Sequence, residues 1–340
     1  MNKLKKFVGP CAAIFGLILM SSCAQSNARG KAAWDGFKKE WEAKGEVFDY
    51  KQVIPKPIPS EKNFAHIPLL KPLHEYKRKK DQAGTTPIDP KKHEQARNLL
   101  KIEGLKGKSL PKLGQWNIGQ PADLVAWQKF FREQKGWPHP KEAGKPAVDI
   151  LQALGKFESD MTKLTQAARE RPLCRFDIRY EAHFGALLPH LSTCRNLVRS
   201  FTLRALAHFA NDDPESALAD IRMCLFLIES IRDEPILISQ LVRVSCLQMA
   251  LQPVWEGLQG EDWNPEQLVD IEKQLAAIDL LEGYRVSILG EREIANLAIA
   301  QWHGNPKLME EQLTPLEGEP SVVIDAASSD WIYQNQMRLN

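Results

Sequence analysis

Cys174, His183, His190 and Cys194 are the densest set of metal-competent side chains in the sequence. Two thiolates and two imidazoles make a tetrahedral zinc donor set, but their spacings of nine, seven and four match no familiar ligand pattern, so no metal is expected. The overlapping stretch "CRFDIRYEAHF" holds Asp177, Glu181 and His183, which could do acid/base work if the fold drew them into one cleft. Glu291 and Glu293 flank Arg292, yet residues two apart on a helix point in different directions, and a solvated face is the expectation there. His74-Glu75 and His93-Glu94 both lack the second histidine of a zinc-protease helix, and neither a G-x-S-x-G elbow nor a phosphate-binding glycine loop occurs. No catalytic residue and no cofactor is therefore expected. An enzyme with an unmotifed site at Asp177, Glu181 and His183 is the least favoured reading.

A different cysteine carries the strongest functional signal. Lys3, Lys5 and Lys6 precede a mostly apolar stretch, residues 7–20, which ends in Ser21, Ser22 and Cys23. That is the layout of a secretory signal, with an apolar run shorter than the roughly 20 residues a membrane-spanning helix needs. The ending resembles the lipobox of bacterial lipoproteins, with Met20 where that motif usually has Leu, Val or Ile. The resemblance implies cleavage before Cys23, acylation of its thiol and, since Ala24 rather than Asp follows, the periplasmic face of the outer membrane rather than the inner membrane. Several acyl chains anchor stably, at about 0.8 kcal/mol per buried methylene. Outside the cytoplasm a disulfide is possible, and Cys174 with Cys194 is the pair expected to show one if any does; Cys224 and Cys246 sit in apolar helical stretches and read as buried thiols.

The elements that must position these residues are helical. Residues 1–22 read as the signal peptide. Residues 23–120 read as an anchor, a short amphipathic helix with Trp34, Phe37 and Trp41 on one stripe stopped by Gly45, and an extended basic arm. Prolines 55, 57, 59, 68 and 72 exclude a helix from that arm and favour a polyproline-like or edge-strand chain running over another surface. Asp89-Pro90 begins one modest helix, and residues 121–303 form a helical-hairpin domain followed by an acidic irregular tail, residues 304–340. Leu191, Cys194, Val198, Phe201 and Ala205, then Ala217, Ile221, Cys224, Ile228 and Ile231, mark two antiparallel helices hinged at "NDDP". "EPILISQLVRVSCLQMALQPVW" is apolar nearly all round and reads as a buried central helix; Asn264, Pro265 and Gln267 cap the next one. The expected class is all-α. The hairpin at residues 201–231 resembles a degenerate tetratricopeptide repeat, with Ala205 and Ala217 at its small positions. The tryptophan-bearing helix followed by "PIPSEKNFAHIPLL" resembles the opening of a family of exported bacterial helical lipoproteins from planctomycete-like and verrucomicrobial-like lineages, with weaker echoes in "EPILISQLVRVSCLQMAL" and "DWIYQNQ". That resemblance implies architecture and no activity.

A hydrophobic share of 43% and a charged share of 26% are globular values. The net charge of +2 conceals a gradient: residues 23–112 hold 20 Lys and Arg against 11 Asp and Glu, and residues 201–340 hold 9 against 23. A basic arm, densest at Lys77, Arg78, Lys79 and Lys80, and an acidic body follow, the arm suited to an anionic headgroup or cell-wall polymer. No aromatics interleave with these lysines to stack bases, so nucleic acid is not an expected partner. The leading expectation is a non-catalytic, membrane-anchored interaction scaffold whose acidic or concave face binds another envelope protein. The alternative is a structural tether from membrane to cell wall through the basic arm.

Overall fold

Asp89, Asp213 and Asn264 each stand in front of a proline, and each begins a helix in the computed structural model, which describes residues 29–77, 86–104, 109–304, 333, 336–338 and 340. The Asp89 carboxylate accepts from the Lys92 amide at 3.0 Å and Asp213 from Ser216 at 3.1 Å, so orphan amides of the first turn are satisfied where φ is already fixed by the proline. Asn264 goes further. Its side chain accepts from the Gln267 amide at 2.9 Å while the Gln267 side chain accepts from the Asn264 amide at 3.0 Å, a reciprocal capping box.

The protein is all-α, with eleven helices and no strand among the described residues. They are α1 (29–42), α2 (Tyr50–Val53), α3 (Pro90–Arg97), α4 (Leu124–Glu133), α5 (Pro146–Leu154), α6 (Glu158–Glu170), α7 (Pro189–Phe209), α8 (Pro214–Glu229), α9 (Leu237–Gln259), α10 (Pro265–Ala276) and α11 (Leu280–Gly304). The chain forms two compact units, residues 54–288 and residues 1–53 with 289–340. The arm from Ile54 onwards thus belongs to the same unit as the hairpins.

In the larger unit α7, α8 and α9 all pack on one another around Val198, Phe201, Ala205, Ala217, Ile221, Cys224 and Ile228, each fully enclosed. The stripes read from steps of three and four are the core. A second cluster joins Trp127 and Phe131 of α4 to Ile150 and Leu154 of α5 and to Leu203 and Ala207 on the other side of α7. Two expectations are corrected. The proline-rich arm is not an extended surface chain: it runs as three single 3-10 turns, Ser60–Lys62, Phe64–His66 and Lys71–Leu73, and buries Phe64, Ile67, Leu70 and Leu73 in the main cluster. Prolines forbid a continuous α-helix, but a 3-10 turn tolerates one at its start, and isolated apolar residues can then turn inward. Helix α9 is not buried all round, since Ile238, Leu241, Val244 and Leu258 are exposed while Ser239, Gln240 and Arg243 are enclosed.

In the smaller unit the ring of Trp34 stacks on Phe37 at 5.7 Å, and Phe48 meets both edge-on at 5.7 and 6.2 Å. Gly45, at φ +95°, takes the left-handed turn that ends α1, where the Glu46 amide donates to the Trp41 carbonyl.

Candidate functional site

The irregular stretch after α6 matters more than its lack of helix suggests. Residues 171–179 run extended beneath the arm, where the Asn63 side chain donates to the Arg175 carbonyl at 2.8 Å and accepts from the Arg175 amide at 2.9 Å. This places Phe176 inside, its ring stacked on His190 at 4.2 Å, with His74 5.3 Å from Phe176 and 5.7 Å from His190. His190 comes from the first turn of α7 and is wholly buried; its Nε2 lies 2.8 Å from Oε1 of Glu234, also buried, in the α8–α9 connection. The two are within ion-pair reach but misaligned for a hydrogen bond, so both ring nitrogens of His190 and both oxygens of Glu234 lack one, as does Nε2 of His74. Buried polar atoms without partners are rare, and five of them here share one place. Burial holds the His74 imidazole well below its ordinary value, and His190, His66 and His93 push the same way. Burial, reinforced by Glu234, raises the Tyr180 hydroxyl.

A small cleft of about 30 Å³ opens beside this cluster, lined by His74, Tyr76, Asp177, Arg179, Ala182, Gly185 and Leu187. Of Asp177, Glu181 and His183, only Asp177 lines it; Asp177 is held by His66 Nε2 at 2.8 Å and by Arg175 at 3.7 Å. Glu181 is exposed, and His183 is buried at a kink with φ 38° and ψ −118°. No group of three or more metal-competent side chains converges among the described residues. The Cys174–Cys194 bridge is corrected: both are free thiols, each set against the Ser230 hydroxyl, and burial pushes both thiols up. A disulfide needs its sulfurs about 2 Å apart. These two behave instead as small core residues.

The second candidate is a surface. On α9, Ile238, Leu241 and Val244 are exposed, and on the part of α11 within the larger unit Leu281, Tyr284 and Ile288 are exposed, Leu281 to 82%. Gly283 of α11 faces two side chains of α9: an added Cβ would meet Gln240 Oε1 at 2.6 Å and Arg243 Nη1 at 2.7 Å. Arg243, itself 1% exposed, donates to the Asp279 carbonyl at 3.1 Å and pairs with Glu229, which turns the polar side of α9 inward and its aliphatic side out. Neither stripe is visible as such in sequence, because an apolar helix does not announce which side will be covered.

Two adjoining grooves flank α6: one of about 540 Å³ against α7, lined by Thr162, Arg169, Glu170 and Arg204, and one of about 230 Å³ against α8, lined by Arg169, Arg222, Met223 and Phe226. In the smaller unit, a pocket of about 190 Å³ is lined by Trp34, Phe48, Tyr50, Glu293, Asn296 and Gln336. Glu293 is not on a solvated face: it is 2% exposed, burial raises its carboxyl, and it accepts from Arg292 Nε at 3.1 Å, while Arg292 Nη1 donates to Glu46 at 2.8 Å.

Of the basic run, Lys77 is exposed and its amide donates to the Thr86 carbonyl at 2.8 Å; Arg78, Lys79 and Lys80 lie outside the described residues, as does Cys23. No helix among the described residues is long and apolar enough to cross a membrane. Set against family models, curated proteins and solved structures, the chain matches none of them.

Proposed function

We propose that this chain is a lipoprotein anchored through Cys23 at the periplasmic face of the outer membrane, and that it works as a non-catalytic scaffold binding another envelope protein. The observation that carries the reading is the reversed polarity of α9, which encloses Arg243 and Gln240 and presents Ile238, Leu241 and Val244 to solvent, with Leu281, Tyr284 and Ile288 of α11 exposed as well. Exposed apolar residues grouped along helices mark interaction sites more often than singly scattered ones do. The hairpin stack, read as tetratricopeptide-like, suits the same role, since stacked hairpins offer extended surfaces.

The partner surface this predicts is apolar, not basic. In cells making the full-length chain, crosslinking is compared between wild type and the double variant Leu241→Glu, Leu281→Glu. The variant keeps its urea midpoint, since exposed substitutions change stability by about 0.5 kcal/mol or less, and loses a specific crosslinked envelope protein. An unchanged crosslinking pattern sinks the reading. Salt-sensitive retention on purified cell wall, lost when residues 77–80 are changed to Glu, would move the assignment to the tether.

A further inference from the structure

Four of the eight histidines, His66, His74, His93 and His190, lie in one neighbourhood, where the arm meets α3 and α7. Their surroundings are unequal. His66 Nε2 sits 2.8 Å from Asp177, so a proton there finds a carboxylate. His190 has Glu234 at the same distance. His93 donates from Nδ1 to the Pro72 carbonyl at 2.9 Å, a bond it keeps whether or not its other nitrogen is charged. His74 has no such partner. Its buried Nε2 makes no hydrogen bond, its nearest ring neighbours are Phe176 and His190, and the cleft beside it adds Tyr76 and the cation of Arg179. Asp177 lines that cleft too, but it is engaged by His66 and Arg175, and Glu234, within ion-pair reach of His190 but without a hydrogen bond, does not line it.

We propose that His74 is the trigger of an acid-released latch that holds residues 70–77 of the arm on the helical body. With the imidazole neutral, Leu70 and Leu73 seat in the core and the arm closes through the Lys77 amide donating to Thr86 and the Ile88 amide donating to Glu75, each at 2.8 Å. A proton on His74 places a charge at a buried nitrogen beside the Phe176 ring, three other imidazoles and the Arg179 cation, while Asp177, the carboxylate of the cleft, is held by His66 and Arg175. Undocking gives it full hydration, which the cleft beside it, with room for a water molecule or two, does not. The docked segment thus binds fewer protons than the released one. Docking is at full strength above the ordinary imidazole value of 6.5 and erodes as the pH falls below it, by up to about tenfold per unit until the docked group itself titrates.

Hydrogen exchange of the full mature chain, corrected for intrinsic rates, tests this at about pH 7.5 and about pH 5.0. Wild type is expected to lose at least about tenfold in protection at residues 70–77 in acid, while α7 and α8 keep theirs. His74→Phe, which keeps a ring in place but cannot take a proton, should hold the same protection at both values. His66→Asn should still respond. Equal protection of residues 70–77 at the two values in wild type, or an undiminished acid response in His74→Phe, overturns the latch. If circular dichroism shows that His74→Phe does not fold, His74→Gln is read by the same criterion.

Discussion

Charge buried between helices is the least forgiving feature at the scale of single residues. Arg204 grips Asp220 with two parallel bonds, Nε to Oδ2 at 2.9 Å and Nη2 to Oδ1 at 2.6 Å, and reaches Glu158 at 3.0 Å. Even so, burial outweighs the guanidinium and leaves the Asp220 carboxyl above its ordinary value. Arg204→Met would strand that carboxylate and is expected to cost about 3 kcal/mol at pH 7 in urea unfolding. A carboxyl raised in the fold takes up its proton there before it does in the unfolded chain, so this deficit should shrink as the pH is lowered. Adding Asp220→Asn should recover part of the loss at neutral pH, and no recovery would show that packing of the arginine stem, not the stranded charge, was responsible. Nothing in the sequence pairs residues 204 and 220. They stand on different helices, and only the crossing of α7 and α8 brings them together, as only the extended run of residues 171–179 brings Phe176 to His190.

Helix ends were legible as elements and helix faces were not. Asp89, Asp213 and Asn264 cap as their sequence contexts imply, because a cap is a bond between residues three apart and needs no tertiary partner. Asp213→Ala should therefore cost about 1 kcal/mol, read as a lower thermal midpoint, with the α7–α8 packing otherwise intact. The contact of α11 with α9 at Gly283 is the opposite case. Gly283 looks in sequence like an ordinary weak point near a helix start, yet its lack of a Cβ is what lets α11 approach Gln240 and Arg243. Gly283→Ala gains helix propensity and is still expected to destabilise by about 1 kcal/mol, because the side-chain ends it would displace belong to Gln240 and Arg243, which are enclosed and hydrogen-bonded. A neutral or stabilising Gly283→Ala would refute that close approach.

Over the whole molecule, the cysteines report the state of the core. Cys174, Cys194, Cys224 and Cys246 are free, and burial raises all four, Cys246 to about 12. In a chain starting at residue 23 with Cys23→Ser, a thiol reagent should find almost nothing in the native protein and four reactive groups in denaturant without reductant; two would restore the Cys174–Cys194 bridge. The proposed anchor has its own check, incorporation of labelled palmitate that is lost in Cys23→Ser, and no incorporation in wild type would remove the membrane from the reading. Composition and periodicity by themselves determined the all-α class, the α7–α8 hairpin, its core stripes and the capped starts, since each depends on residues a few positions apart. Tertiary packing alone decided that a proline-broken arm enters the core, that α9 turns its aliphatic side outward, that Glu293 is enclosed, and that four scattered histidines meet. Burial belongs to the neighbour that does the covering, and along this chain that neighbour is tens of residues away.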